Sequence, residues 1–275
     1  MNIKSELIIE AGRTERHYWA DIWRYRELLF FLAWRDILIR YKQTTVGVAW
    51  SIIRPLLTMV IFTFIFGRLA KLPSEGVEYA LLVFSALLPW QFFTNAVSGI
   101  SSSLVGNSSL LTKVYFPRLI VPLSALMANI VDVMISIIFL AGLMFWYKTI
   151  PDARILVLPV FMLITLFASF GAGLWIASLN VKYRDFSYIV PFMLQVGLYI
   201  SPVGFVSSIM PDQWRLIYSL NPMVGVIDGF RWSLLGGNSL LYWPSVLMSF
   251  IVSLFFLISG FSTFRKTEKT FADII

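Results

Sequence analysis

Asp132 is the one acidic residue deep within an otherwise uncharged run, Leu119–Tyr147, and Asn129 stands one helical turn before it. An ionisable side chain there is costly in hydrocarbon and usually faces protein or water. The pair suits either a transport path or a hydrogen-bond network between helices, and the sequence leaves both open. Arg54, followed by Pro55, can snorkel back to the near interface from a second apolar run. Asp228 and Arg231 are three apart, a spacing at which opposite charges can pair on a helix, and a structural pair is the favoured reading. Little else could do chemistry. There is no Cys and only one His, His17, which excludes thiolate and His-cluster metal sites and makes a Ser-His-Asp centre improbable. No G-x-x-x-x-G-K-[ST], G-x-S-x-G or H-E-x-x-H occurs, so no P-loop nucleotide cradle is expected.

The elements that must position these residues are membrane spans. Hydrophobic residues make up 58% of the 275, and charged residues 13%, about half the share of an ordinary soluble chain. A span needs about 20 apolar residues. Six runs qualify: Val46–Phe66, Tyr79–Val105, Leu119–Tyr147, Ile155–Val181, Phe186–Pro211 and Trp243–Phe264. Six spans put both ends on one side, which then carries 16 Lys and Arg against 6 on the other. That asymmetry predicts cytoplasmic termini and makes the net charge of +7 a topology signal rather than a nucleic-acid signal. No cleavable signal peptide is expected, because acids recur through the first 30 residues.

The rest of the chain divides around the spans. Residues 1–45 are too charged to cross. Trp23, Phe30, Trp34, Ile37 and Tyr41 nevertheless form one helical stripe, with Leu28, Leu32 and Ile39 making a second. A helix lying in the membrane interface fits this best, and a soluble helix packed on a partner is the alternative. In the loop 107–117, Asn107, Ser108 and Ser109 offer capping side chains and Pro117 a stop. Across 207–237, Asp212–Leu220 and Pro222–Leu235 read as two short apolar helices, the second opened by Asn221-Pro222 and closed by Gly236-Gly237. Neither can span, so a re-entrant hairpin is expected. In the fourth run, Ala168, Ser169, Gly171, Ala172 and Gly173 form a patch that lets another helix approach closely. The expected fold class is all-α integral membrane: six spans, an amphipathic interface helix, a re-entrant hairpin before the last span, and a tail at 265–275.

Four separated blocks carry a family resemblance. They are Arg35 through Thr44 with Gly47, Trp50 and Pro55; Leu88-Pro89-Trp90-Gln91-Phe92-Phe93 with Asn107–Lys113 and Phe116-Pro117-Arg118; Asn180–Asp185 with Pro191 and Ser201-Pro202; and Asn221-Pro222-Met223 with Arg231. In this order, over about residues 28–265, the chain resembles the transmembrane subunits of ABC type-2 polysaccharide exporters, most closely those of O-antigen export. Exporters of capsule and teichoic acid share most of the blocks.

The resemblance implies a bacterial inner-membrane homodimer joined to two ATP-binding cassette subunits. ATP and Mg would be bound by that partner, with no cofactor and no ATPase in this chain. Contact with the ATPase would fall on Arg35, Asp36, Arg40, Tyr41 and Lys42 of the amphipathic helix and on Asn107, Lys113, Tyr115 and Phe116 of the short loop. Asp212–Leu235 would line the periplasmic exit, with Trp214, Asn221, Asp228 and Arg231 as gate candidates. The cargo would be a polysaccharide on undecaprenyl diphosphate. Arg40, Lys42 and Arg54, near the inner mouth, could attract that diphosphate, although positive-inside placement explains them about as well. A membrane glycosyl- or acyltransferase is the rival of another class, and the paired acids or His it would need are not visible in the sequence.

Overall fold

In a computed structural model, the described residues are 18–42, 49–236, 241–268 and 271. His17, and Gln43, Thr44 and Gly47 of the first resemblance block, lie outside them. All regular elements among the described residues are helical. They are α1 (Tyr18–Arg24), α2 (Arg26–Lys42), α3 (Ala49–Phe62, continued by a π-helical stretch Thr63–Leu69), α4 (Tyr79–Gly106), α5 (Ser108–Lys113) and α6 (Ile120–Trp146). There follow α7 (Leu158–Lys182, entered through a 3-10 turn), α8 (Phe186–Ile200), α9 (Asp212–Tyr218), α10 (Pro222–Leu235) and α11 (Trp243–Thr267).

Five helical segments among the described residues are long and apolar enough to cross a bilayer: Ala49–Leu69, Tyr79–Gly106, Ile120–Trp146, Ala153–Lys182 and Trp243–Thr267. They match five of the six expected runs to within a few residues. The sixth differs. Phe186–Pro211 was expected as one span, but α8 stops at Ile200 after 15 residues, about 22 Å of helix against about 30 Å of hydrocarbon. Pro202 accounts for the stop. Its ring drives the preceding residue out of the α region, and Ser201 is extended at ψ 153. The chain is therefore an all-α integral membrane protein, with five full-length spans and the shorter apolar helix α8 among the described residues.

α4 stands at the centre. Of its most apolar 18-residue window 78% is buried, against 17% for α3 and for α11, so α3 and α11 present most of their surface outward. α7 packs along both α4 and α11. Lipid offers helices no hydrophobic drive to associate, so close backbone approach must supply dispersion contacts. The small-residue patch does this within the chain: a Cβ on Gly260 of α11 would lie 2.1 Å from the carbonyl oxygen of Gly171 in α7.

The amphipathic segment does not lie apart from the spans. A break at Tyr25 separates Trp23, on α1, from the rest of the expected stripe. α2 packs along α6, burying Leu32 of the second stripe together with Ala33. Trp23, Phe30 and Trp34 face outward, at 71%, 58% and 60% exposure. α1 is clasped to the end of α11. Trp19 stacks on Phe261 with centroids 5.5 Å apart, and the Arg265 guanidinium lies 3.5 Å from the centroid of the Tyr18 ring. The Tyr18 hydroxyl donates to the Glu268 carboxylate at 3.3 Å, which also accepts from the Arg118 amide at 3.1 Å. Burial pushes the Glu268 carboxyl above the usual carboxylate range, against the pull of Arg265.

Candidate functional site

The end of α2, α3, α4 and α6 enclose a cavity of about 510 Å³ with a partly polar wall. Each helix contributes at regular spacing: Arg54 and Ser51 from α3, Gln91, Asn95 and Ser98 from α4, and Asp132 and Ser136 from α6. Positions 91, 95 and 98, like 132 and 136, are one turn apart, so they fall on one face. α2 contributes Arg40 and Tyr41.

Asp132, halfway along α6, is the hub. One carboxylate oxygen accepts from the Arg40 guanidinium and the other from the Tyr41 hydroxyl. Arg40 also donates to the Asn129 side-chain oxygen at 3.1 Å, and the Asn129 amide donates to the Ala125 carbonyl at 2.8 Å. The Asp132 side chain is 16% exposed and that of Arg40 40%, so the pair stands at the edge of the cavity, partly open. Desolvation, then the hydrogen bond to Asp132, holds the Tyr41 hydroxyl above its ordinary range. Of the two readings of Asp132 and Asn129, the structure shows the interhelical network, with Arg40 and Tyr41 of α2 as side-chain partners and the Asn129 amide also reaching the Asn95 carbonyl of α4 at 3.5 Å. Arg40 and Tyr41, expected at the ATPase contact, are turned inward to it.

Arg40 and Arg54 share this cavity, but Lys42 does not. Lys42 lies with Phe31, Trp34 and Leu38 along a shallow groove on α2, which corrects the grouping of the three cations. Arg35 and Asp36 lie at the end of the bundle where α4 finishes and α6 begins. The Arg35 guanidinium bonds Asp36 at 2.8 Å and the Asn107 side-chain oxygen at 2.8 Å. Asn107 makes no side-chain cap on α5. Its amide instead donates back to the Ser103 carbonyl at 2.9 Å, so the expected cap is replaced by a joint between α2 and the α4–α5 corner. Lys113 and Tyr115 are exposed, whereas Phe116 is 5% exposed and belongs to the core. α5 ends at Lys113, before Pro117 can act as a stop.

The second polar cluster lies at the opposite end of α4. Asn221 caps α10 as expected, accepting from the Met223 amide at 3.0 Å, and its amide donates to the Ser201 hydroxyl at 2.9 Å. Asp228 and Arg231 do not pair directly. Asp228 accepts from the Ser207 hydroxyl at 2.6 Å. Arg231 donates to the carbonyls of Leu82, Phe205 and Val203 at 3.1, 2.9 and 3.0 Å. Two of these carbonyls belong to the segment that Pro202 keeps out of helix, and a fan of guanidinium donors satisfies them where no i+4 amide can. Trp214 is 57% exposed on α9. Sequence reasoning missed Ser207, Tyr218, which donates to the Ile200 carbonyl at 2.8 Å, and Glu268. Ser201-Pro202 was the available signal for Tyr218, since a broken apolar helix leaves carbonyls that need donors; Ser207, which donates to Asp228, had none. Glu268 had no signal.

A multi-pass membrane bundle, one cation-lined cavity and a set of joints from α2 to the spans define a transport component. No cluster of three or more potential metal ligands occurs among the described residues. Over residues 27–235 the chain matches the ABC-2 type transporter family, and it belongs to that family. It is 27% identical over 250 residues to an O-antigen export system permease protein, RfbA, of Klebsiella pneumoniae, covering 90% of this chain and 95% of the relative. The RfbA permease of Myxococcus xanthus is 27% identical over 257 residues, 93% of this chain and 98% of the relative. The capsule polysaccharide export inner-membrane protein CtrC of Neisseria meningitidis is 25% identical over 260 residues, 89% and 95%.

Proposed function

We propose that this chain is the membrane-spanning permease of an ATP-driven polysaccharide exporter of the bacterial inner membrane, working as a homodimer with two separate ATP-binding subunits. The correspondence over nine-tenths of the chain with permeases named for O-antigen export carries the reading. Both termini are cytoplasmic, on the basis of the Lys and Arg asymmetry, with α8 and the non-helical apolar segment that continues it past Ser201 making the sixth crossing. The cargo is a glycan on undecaprenyl diphosphate, and its head group meets Arg40 and Arg54 in the cavity. Guanidinium forks suit phosphate oxygens, and a partly desolvated cavity strengthens the contact. The match to CtrC favours a capsular glycan as the second reading.

The partner's hydrolysis would act through the surface formed by Lys113, Tyr115 and the Arg35–Asn107 joint. Two tests address this. The purified chain should hydrolyse no ATP, and robust hydrolysis would reject the assignment. Lys113→Glu with Tyr115→Ala should insert normally yet lose glycan export, whereas unchanged export would remove this surface from coupling.

A further inference from the structure

Asp132 occupies Arg40 in the same cavity that Arg54 lines, and this arrangement has a consequence for cargo binding. We propose that the Asp132 carboxylate is an internal stand-in for the cargo's phosphate. An arriving diphosphate takes Arg40 from Asp132 and thereby loosens the end of α2 on the middle of α6, where the Tyr41 hydroxyl alone remains bonded to Asp132. The proposal rests on the exporter reading and deepens it, since it makes occupancy of the cavity a signal.

Three observations support the exchange. Arg40 and Asp132 meet at the cavity edge, where the guanidinium side chain keeps 40% exposure and can turn without leaving the protein. A carboxylate carries one negative charge and a diphosphate at least two, so two nearby guanidinium groups favour the diphosphate. Asp132 is also provided for when Arg40 departs: the Tyr41 hydroxyl still donates to it, so its charge is not left bare beside apolar α6.

The mechanical result follows from where α2 is held. Arg40 and Tyr41 fix its last turn to α6, while Arg35 fixes it to Asn107 beside α5. Loss of the Arg40 tie leaves the last turn of α2 held to α6 by the Tyr41 hydroxyl alone, so that turn shifts about the Arg35 joint beside α5. Cargo in the cavity is thus reported along one helix to the motor.

The test is binding of farnesyl diphosphate, with farnesol as control, to the full chain in nanodiscs. Removing the competitor should tighten binding: Asp132→Asn is expected to bind about tenfold more tightly, a typical size for coupled interactions, and Arg54→Gln more weakly. Equal or weaker binding to Asp132→Asn, with Arg54→Gln still weakened, overturns the exchange while leaving the diphosphate cavity in place. Absence of diphosphate-dependent binding in every variant overturns the exchange together with the reading of this cavity as the head-group site. A second measurement avoids any folding defect at Asp132. The chain has no Cys, so spin labels at Ile39→Cys near the last turn of α2 and Phe145→Cys on α6, both exposed, report a single distance. Farnesyl diphosphate should shift or broaden that distance, and an unchanged distribution under saturation overturns the pivot.

Discussion

Arg231 and Arg40 are both arginines held against apolar helices, and they are held in opposite ways. Arg231 is 6% exposed and spends its donors on three backbone carbonyls that the fold fixes in place. Arg40 is held by a carboxylate and an amide side chain at the rim of a cavity of about 510 Å³. A backbone carbonyl cannot leave, whereas a side chain has rotamers. The first arginine therefore serves structure, and the second is poised to change partners. The bundle around them differs in the same sense. α10 is buried among α4, α7 and α11, while α2, α3 and α8 are packed on fewer sides.

Breaking the fixed side should have the largest effect. Arg231→Ala removes the donors to three carbonyls in a segment that has no helical alternative. It should cost about 3–5 kcal/mol, the range for losing one member of a buried charged network, seen as loss of monodisperse protein or a large fall in Tm. Arg231→Lys should recover only part of this, since one ammonium cannot fan across three carbonyls. Gly260→Ala tests the packing of the same half. Its Cβ would meet the Gly171 backbone oxygen at 2.1 Å, backbone against backbone, and about 1–3 kcal/mol of destabilisation is expected in thermal unfolding.

The exchangeable side should tolerate more. Asp132→Asn keeps an acceptor for Tyr41 and should lower stability by about 1 kcal/mol, in line with loss of a partly exposed ion pair, so its Tm should lie well above that of Arg231→Ala. Equal losses from the two would erase the distinction between the arginines. The smallest expected effect concerns the clasp of α1. Because burial raises the Glu268 carboxyl above 4.5, its contribution is full below that value and declines as pH rises through the raised one. Amide exchange over Tyr18–Arg24 should therefore quicken as pH rises through that window, after correction for intrinsic rates, and Glu268→Gln should flatten the trend.

The five long spans were legible because apolar length is a property of sequence alone. So was the start of α10, since Asn221-Pro222 encodes a cap and a first-turn proline. The end of the sixth helix, α8, was placed too late because the uncharged run continued past Ser201-Pro202, and hydropathy does not register the backbone conformation that proline forces on its neighbour. Asp228 and Arg231 have helical spacing, but spacing did not show that nearer carbonyls would claim the arginine. Asp132 was legible as an anomaly, and its partner was not. Arg40 is 92 residues away in sequence, and only the packing of α2 along α6 brings the two together. Lys42 shows the converse, because closeness to Arg40 in sequence placed it on the other side of the same helix.

The most direct test is glycan export in vesicles containing this chain and its ATP-binding partner, loaded with lipid-linked polysaccharide on the face that binds the partner. ATP should bring the glycan from the face that binds the ATP-binding partner to the other face, and vesicles with the chain alone should move none. Appearance of glycan on the far side without ATP or without the partner would contradict the view of this protein as a permease driven by another subunit.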